Sequence, residues 1–221
     1  MYYLYASVSF YFALAVISIC GVVYSAPLFN TDDAGIVDQG QCQIELDQAF
    51  YKQQQRAAHL TPACQLIHGV ELALPVAYED DLQQYAIAAK VPFLQTDYFA
   101  IAASVEWQPK QTDQERQWRF NIPLSWYASE RWQFDVNIGQ QRFADGHENT
   151  WAVASHYQFN ALHQLSLEFF QNESQHRQSQ LLYQYQAIPE KVALFTSFGV
   201  PIQNSHDSAW LGVGLSWLMA K

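Results

Sequence analysis

The chain has 221 residues, of which 50% are hydrophobic, 15% aromatic and only 14% charged, with a formal net charge of −10. That length fits one ordinary domain, and an acidic chain whose few basic residues are scattered singly is excluded as a nucleic-acid binder, which needs clustered Lys and Arg. Soluble domains usually carry about 25% charge; here Gln, Asn, Ser and Tyr fill that place while mean hydropathy stays at −0.16, a combination that alternating apolar and polar residues produce and that membrane β-barrels use.

Met1 to Ser25 contains no charged residue and is dominated by Tyr, Phe, Leu, Ile, Val and Ala. Residues 1–25 read as a secretory signal peptide cleaved after Ser25, with Val23 and Ser25 at the small-residue positions. The stretch has no Lys or Arg and is long enough to span a bilayer, so an uncleaved anchor is the other reading. Both readings export the remainder, and no second run of 18 or more apolar residues exists. Residues 26–40, with Thr31, Asp32 and Asp33, form a periplasmic N-terminal segment before the first strand. The aspartates can accept backbone N–H groups in a turn. The segment either hangs as a tail or lies in the mouth or lumen of the domain after it.

From residue 41 to 221 the pattern has period two. Phe99, Ile101, Ala103, Val105 and Trp107 share one face; Ala100, Ala102, Ser104, Glu106 and Gln108 share the other. Trp118, Phe120, Ile122, Leu124 and Trp126 repeat this, and so do Trp132, Phe134, Val136 and Ile138. A helix would place apolar residues three and four apart, so these are strands. Strands are expected over 41–51, 59–67, 70–78, 82–93, 98–108, 117–127, 131–141, 150–159, 163–171, 179–187, 192–202 and 209–219. From the fifth onward, long links (109–116, 142–149, 172–178, 203–208) alternate with short ones (128–130, 160–162, 188–191). Up-and-down outer-membrane barrels have long extracellular loops and short periplasmic turns. The fold class is therefore all-β: a transmembrane antiparallel up-and-down β-barrel of about twelve strands, with a soluble sandwich as the alternative.

Tryptophan placement agrees. Trp107 and Trp118 flank a long link, Trp126 and Trp132 a short one, and Trp151 and Trp217 join them as an expected aromatic girdle. Trp118 and Trp126 lie roughly 20 Å apart along the membrane normal for a strand rising about 3.3 Å per residue at a tilt near 40°, the height of an apolar band. Cys20 falls in the leader. Cys42 and Cys64 are equidistant from a hairpin centred near Gln53, which places them opposite each other; in an oxidising compartment they read as a disulfide, worth roughly 3 kcal/mol on the loop-entropy model. Cys64 and His68 would stand about 13 Å apart on a strand, too far to share a metal ion.

The polar face would line the lumen with Glu106, Arg119, Asn121, Tyr127, Arg131, Asp135, Asn137, His156, Gln158 and Glu168. The register that pairs Trp107 with Trp118 pairs Glu106 with Arg119, either as a charged constriction or as a structural ion pair. For a hydrolase, Ser205-His206-Asp207-Ser208 and the Asp145, His147, Glu148 group lie in loops, where neighbouring side chains diverge, and His156 alone faces inward from a strand. No catalytic residue, metal or cofactor is assigned.

Pro27, Thr31, Asp32, Asp33 and Ala34, then Gly40 and Gln41 before a strand carrying Ile44 and Glu45, resemble a group of outer-membrane transporter barrels related to the barrel encoded with phenol meta-cleavage pathways. Pro62-Ala63-Cys64 and Gly69-Val70-Glu71-Leu72 resemble that group's second and third strands, and the two cysteines a subgroup feature. Leu211 to Trp217 is similar to the C-terminal recognition strand of outer-membrane proteins, although the chain ends Leu218-Met219-Ala220-Lys221 rather than on an aromatic. The resemblance implies a Gram-negative outer-membrane protein, in contact with lipid and with the barrel-assembly machinery, that passes small, hydrophobic or aromatic molecules. The function expected is a passive channel or transporter. A non-conducting structural or binding barrel, or a barrel hydrolase, are the alternatives.

Overall fold

The computed structural model describes residues 29–51, 56–79, 82–111, 115–171, 176–202 and 209–219; the leader lies outside them. All regular structure in these residues is antiparallel strand. The segments are β1 (Cys42–Tyr51), β2 (Arg56–Ile67), β3 (Val70–Ala73), β4 (Val76–Glu79), β5 (Leu82–Tyr85), β6 (Ile87–Gln95) and β7 (Phe99–Gln108). They continue as β8 (Gln117–Tyr127), β9 (Trp132–Arg142), β10 (His147–Asn160), β11 (His163–Gln171), β12 (Arg177–Ile188), β13 (Val192–Pro201) and β14 (Trp210–Met219).

From β6 to β14 each strand pairs with its sequence neighbour, β1 pairs with β2, and β1 pairs with β14 from Cys42 opposite Met219 to Tyr51 opposite Trp210. The sheet thus closes on itself, which removes the long edges an open sheet would expose. β3 and β4 both lie along β2, and β5 and β6 lie along β4 and β3, so the segments make a closed barrel of 12 strands. The sequence pattern predicts a single strand over 70–78 and another over 82–93; each is broken in the middle. Pro75 is the reason, because it has no N–H to give the ladder. Leu74 N to Pro62 O (3.0 Å) and Ala86 N to Pro75 O (2.9 Å) carry the pairing past the break. β10 begins at His147 rather than near Thr150, since pairing continues to His147 opposite Arg142.

Links after β7 span 109–116, 143–146, 172–176 and 202–209 at one end, and only 128–131, 161–162 and 189–191 at the other. At the short-link end the β2–β3 turn is two residues long, and Gly69 adopts φ 74° there, the left-handed conformation that tight hairpins require.

The pleat sends alternate residues to opposite faces. Outward side chains are large and apolar, including Ile138, Phe198 and Leu211, all more than half exposed. Near the short links, Phe99, Trp126, Phe134, Trp132, Tyr157 and Phe159 form a continuous row of ring contacts. Near the long links, Trp107, Trp118 and Phe120 form a second row. Trp217 faces outward on β14, and Trp151, half-buried, donates its indole N–H to Gln171 Oε1 at 3.0 Å.

Inside, buried polar groups outnumber apolar ones. The interior apolar cluster near the long links contains Ala49, Ala57, Ala152, Phe170 and Trp210. Trp210 fits because its cross-strand partner is Gly199; a Cβ there would lie 2.0 Å from the indole ring. Gly199→Val is expected to displace Trp210 and cost about 1–3 kcal/mol, the usual range for overpacking. A lowered urea midpoint with changed tryptophan emission checks this; wild-type values in both would mean the wall yields freely.

Candidate functional site: the occupied lumen

Residues 29–40 lie inside the barrel. The chain leaves the short-link end of β1 through Gly40, whose φ of 79° is a turn that glycine makes without strain. Gly40 N bonds Gln65 O at 2.9 Å and Gln41 N bonds Asp38 O at 2.9 Å. Backbone N–H groups taken from water must find acceptors, and inward side chains supply them. Val37 N donates to Glu71 Oε2 on β3 at 2.8 Å. Ala34 N donates to Ser125 Oγ on β8 at 2.9 Å. Asp32 N donates to Asn137 Oδ1 on β9 at 2.7 Å, and Asn137 Nδ2 returns a bond to Asp32 O at 2.7 Å. Thr31 donates its N–H to Glu168 Oε1 on β11, and its hydroxyl to the same oxygen at 2.5 Å. Phe29 packs edge-on to the His156 ring at 5.0 Å.

Charge secures the same stretch. Lys90 on β6 reaches Asp32 Oδ1 at 2.8 Å and Asp33 Oδ1 at 3.5 Å, with its side chain 9% exposed. Asp33 also accepts Gly35 N at 2.8 Å, closing a local turn. Ala34 packs against Ala100, Ala102 and Tyr127. The segment is therefore held from seven staves, from β3 to β11, which stand on opposite sides of the barrel. A cavity of about 1620 Å³ runs along it.

Of the residues that the sequence marks as inward-facing, Asn121, Tyr127, Asp135, Asn137, His156 and Glu168 gather around Thr31, Asp32 and Asp33. Asn121 Nδ2 donates to Asn137 Oδ1 at 3.2 Å, and Glu168 also accepts a bond from Gln180. Glu106 and Arg119 stand apart near the long links, 2.8 Å from each other. Arg131 and Gln158 sit at the short-link end. Cys42 and Cys64 are disulfide-bonded, with Cα atoms 4.1 Å apart at the mouth through which the segment enters. Lys90, Glu71 and Ser125 hold the segment although the sequence pattern does not single them out. Lys90 carries a signal all the same: among the described residues it is the lysine that falls inside a strand, on the same side as Ala88.

His156 Nδ1 lies 2.9 Å from Ser166 Oγ, and its Nε2 lies 2.8 Å from Asp135 Oδ2 without the alignment of a hydrogen bond. The composition is that of a hydrolytic triad, but the setting is not. Ser166 is 1% exposed, Gln133 occupies both Asp135 oxygens at 3.0 and 2.9 Å, and Phe29 covers the imidazole. No ester can approach such a serine. The Ser205 to Ser208 stretch lies outside the described residues. Among the described residues, no group of three His, Cys, Asp or Glu is placed to hold a metal ion.

Near the long links, inward amides form a cross-strand chain. Gln141 donates to Gln117 (2.5 Å), Gln117 to Gln108, and Gln108 to Gln84 (3.2 Å).

A model of the family described as "Uncharacterised conserved protein UCP029691" matches residues 21–218. No curated protein matches by sequence. Among solved structures, the KdgM porin aligns with a TM-score of 0.68 at 10% identity, over 79% of this chain and 98% of that one. The COG4313 outer membrane channel from Pseudomonas putida F1 aligns at 0.59 and 10% identity, over 86% and 100%. Outer membrane phospholipase A from Escherichia coli aligns at 0.53 and 12% identity, over 89% and 94%. At these identities the likeness is one of fold, and two of these three barrels are a porin and a channel.

Proposed function

The chain belongs to the family whose model matches it, Uncharacterised conserved protein UCP029691, and we propose that it is a Gram-negative outer-membrane channel for small molecules, narrowed by its own residues 29–40. The observation that carries this reading is the lumen: a cavity of about 1620 Å³ whose lining includes charged and amide side chains, within a barrel with an apolar outer belt. A barrel of this strand number is narrower than a porin of 16–18 strands, and the segment narrows it further. Small solutes, aromatic ones included, are the class supported by the N-terminal resemblance to barrels of phenol meta-cleavage pathways. Export through a leader cleaved after Ser25 suits the segment's position, because only Ala26, Pro27 and Leu28 would then precede Phe29.

Cell fractionation, followed by gel mobility before and after boiling and then conductance in planar bilayers, tests the proposal. Recovery in the outer membrane, a heat-dependent mobility shift and small single-channel steps are expected. Recovery as a soluble protein would overturn the membrane barrel. A second reading, a non-conducting barrel closed by its own segment, is favoured by the seven-stave anchoring of residues 29–40; a heat-modifiable barrel without current or solute flux would select it.

A further inference from the structure

We infer that the solutes admitted are cations, with Glu148 and Gln141 as a point of contact for their positive charge; this rests on the channel reading above. Among the described residues, the inward face of the strands carries two permanent cations, Lys90 and Arg119, both engaged, while Arg131 lines the cavity from a short link beside Glu130. Lys90 binds Asp32 and Asp33, and Arg119 binds Glu106. Glu45, Glu71, Glu148 and Glu168 also face inward, and among the described residues none of them is ion-paired with a Lys, Arg or His. A lumen with that imbalance attracts cations and repels anions, as rings of carboxylates do in cation channels.

A second observation localises the contact. The amide chain near the long links runs in one direction. Gln141 gives its nitrogen to Gln117, Gln117 gives its own to Gln108, and Gln108 to Gln84. The head of the chain is left with an acceptor: Gln141 is 1% exposed, lines the cavity, and its Oε1 has no partner among the described residues. Its cross-strand partner is Glu148, whose buried Oε2 is likewise without a partner among the described residues. Two acceptors thus stand on paired positions, where side chains are neighbours, with Arg119 on the far side of Gln141 and held to Glu106. An ammonium group brings both the donors and the charge that this pair lacks.

The test is the reversal potential of the full-length protein in planar bilayers under a potassium chloride gradient, for wild type and Glu148→Gln. Potassium is expected to permeate several-fold better than chloride in wild type, and E148Q to reduce that ratio with the boiling-dependent mobility shift unchanged. Wild-type conductance that is unselective or prefers chloride overturns the inference and leaves the channel reading standing. A ratio unmoved by E148Q removes Glu148 as the contact. Absence of any conductance overturns the channel reading and this inference with it.

Discussion

Lys90→Met is expected to free residues 29–39 from the lumen, raise single-channel conductance and lower stability. The ammonium lies buried between Asp32 and Asp33, and Glu71 stands near it on the adjacent β3. Methionine fills similar volume but leaves the two aspartates in the lumen without their cation. Removing one partner of a buried ion pair typically costs about 3–5 kcal/mol, because the other charge remains desolvated. The aspartates escape that cost by carrying the segment out into water. The hydrogen bonds that the segment makes to Glu71, Ser125, Asn137 and Glu168 oppose this, but each is worth only about 0.5–1.5 kcal/mol net, or somewhat more where a carboxylate accepts. Conductance and the rate of protease cleavage within residues 29–40 should both rise, and the urea midpoint should fall. Adding Asp32→Asn and Asp33→Asn should restore part of the stability, since uncharged amides tolerate burial better. Conductance and protection equal to wild type in K90M would mean that the backbone bonds alone hold the segment.

The double change Cys42→Ser, Cys64→Ser is expected to lower stability by roughly 3 kcal/mol, the loop-entropy value for a bridge closing a loop of this size. The sequence separation is 22. The bridge joins β1 to β2 beside the place where Gly40 turns the chain into the lumen, so its loss loosens the first strand where the segment departs. Chemical unfolding with and without reductant measures this in wild type, with the double variant as the reference that reductant cannot shift. Coincident midpoints for wild type and variant under oxidising conditions would mean that the bridge does not stabilise the barrel. A serine pair is the appropriate replacement, because each hydroxyl can be solvated at the mouth.

Much of the barrel is legible in the order of its residues. Alternation in Phe99 to Gln108 and Gln117 to Tyr127 assigns every residue to a face, and the register that sets Trp107 opposite Trp118 also sets Glu106 opposite Arg119. Cys42 opposite Cys64 follows from the symmetry of one hairpin. The broken strands are less legible. Pro75 is visible in the sequence, but whether a proline ends a strand or is bridged past depends on neighbours such as Pro62, whose carbonyl carries the ladder onward.

The site itself is only half legible. Thr31, Asp32 and Asp33 stand out as a motif, and Asn137, His156 and Glu168 as inward residues, yet nothing in the local pattern joins the two sets. Thr31 meets Glu168 across 137 positions of sequence, and Asp32 meets Asn137 across 105. Lys90 reads as one more polar residue on an inward face until the aspartates are placed beside it.

Face and neighbour in a barrel are local properties, because the pleat has period two and each hairpin sets the register of the next. The strands, the apolar outer belt, the cross-strand pairs and the disulfide can therefore be read from the order of residues alone. Contacts across the lumen have no such rule. Closure of β1 on β14 brings opposite walls within reach of one segment, and desolvated backbone groups then take whichever inward acceptors lie at that depth. The closed barrel, and nothing short of it, makes residues 29–40 run inward, sets Lys90 to hold them, and leaves Ser166 too deep to act as a nucleophile.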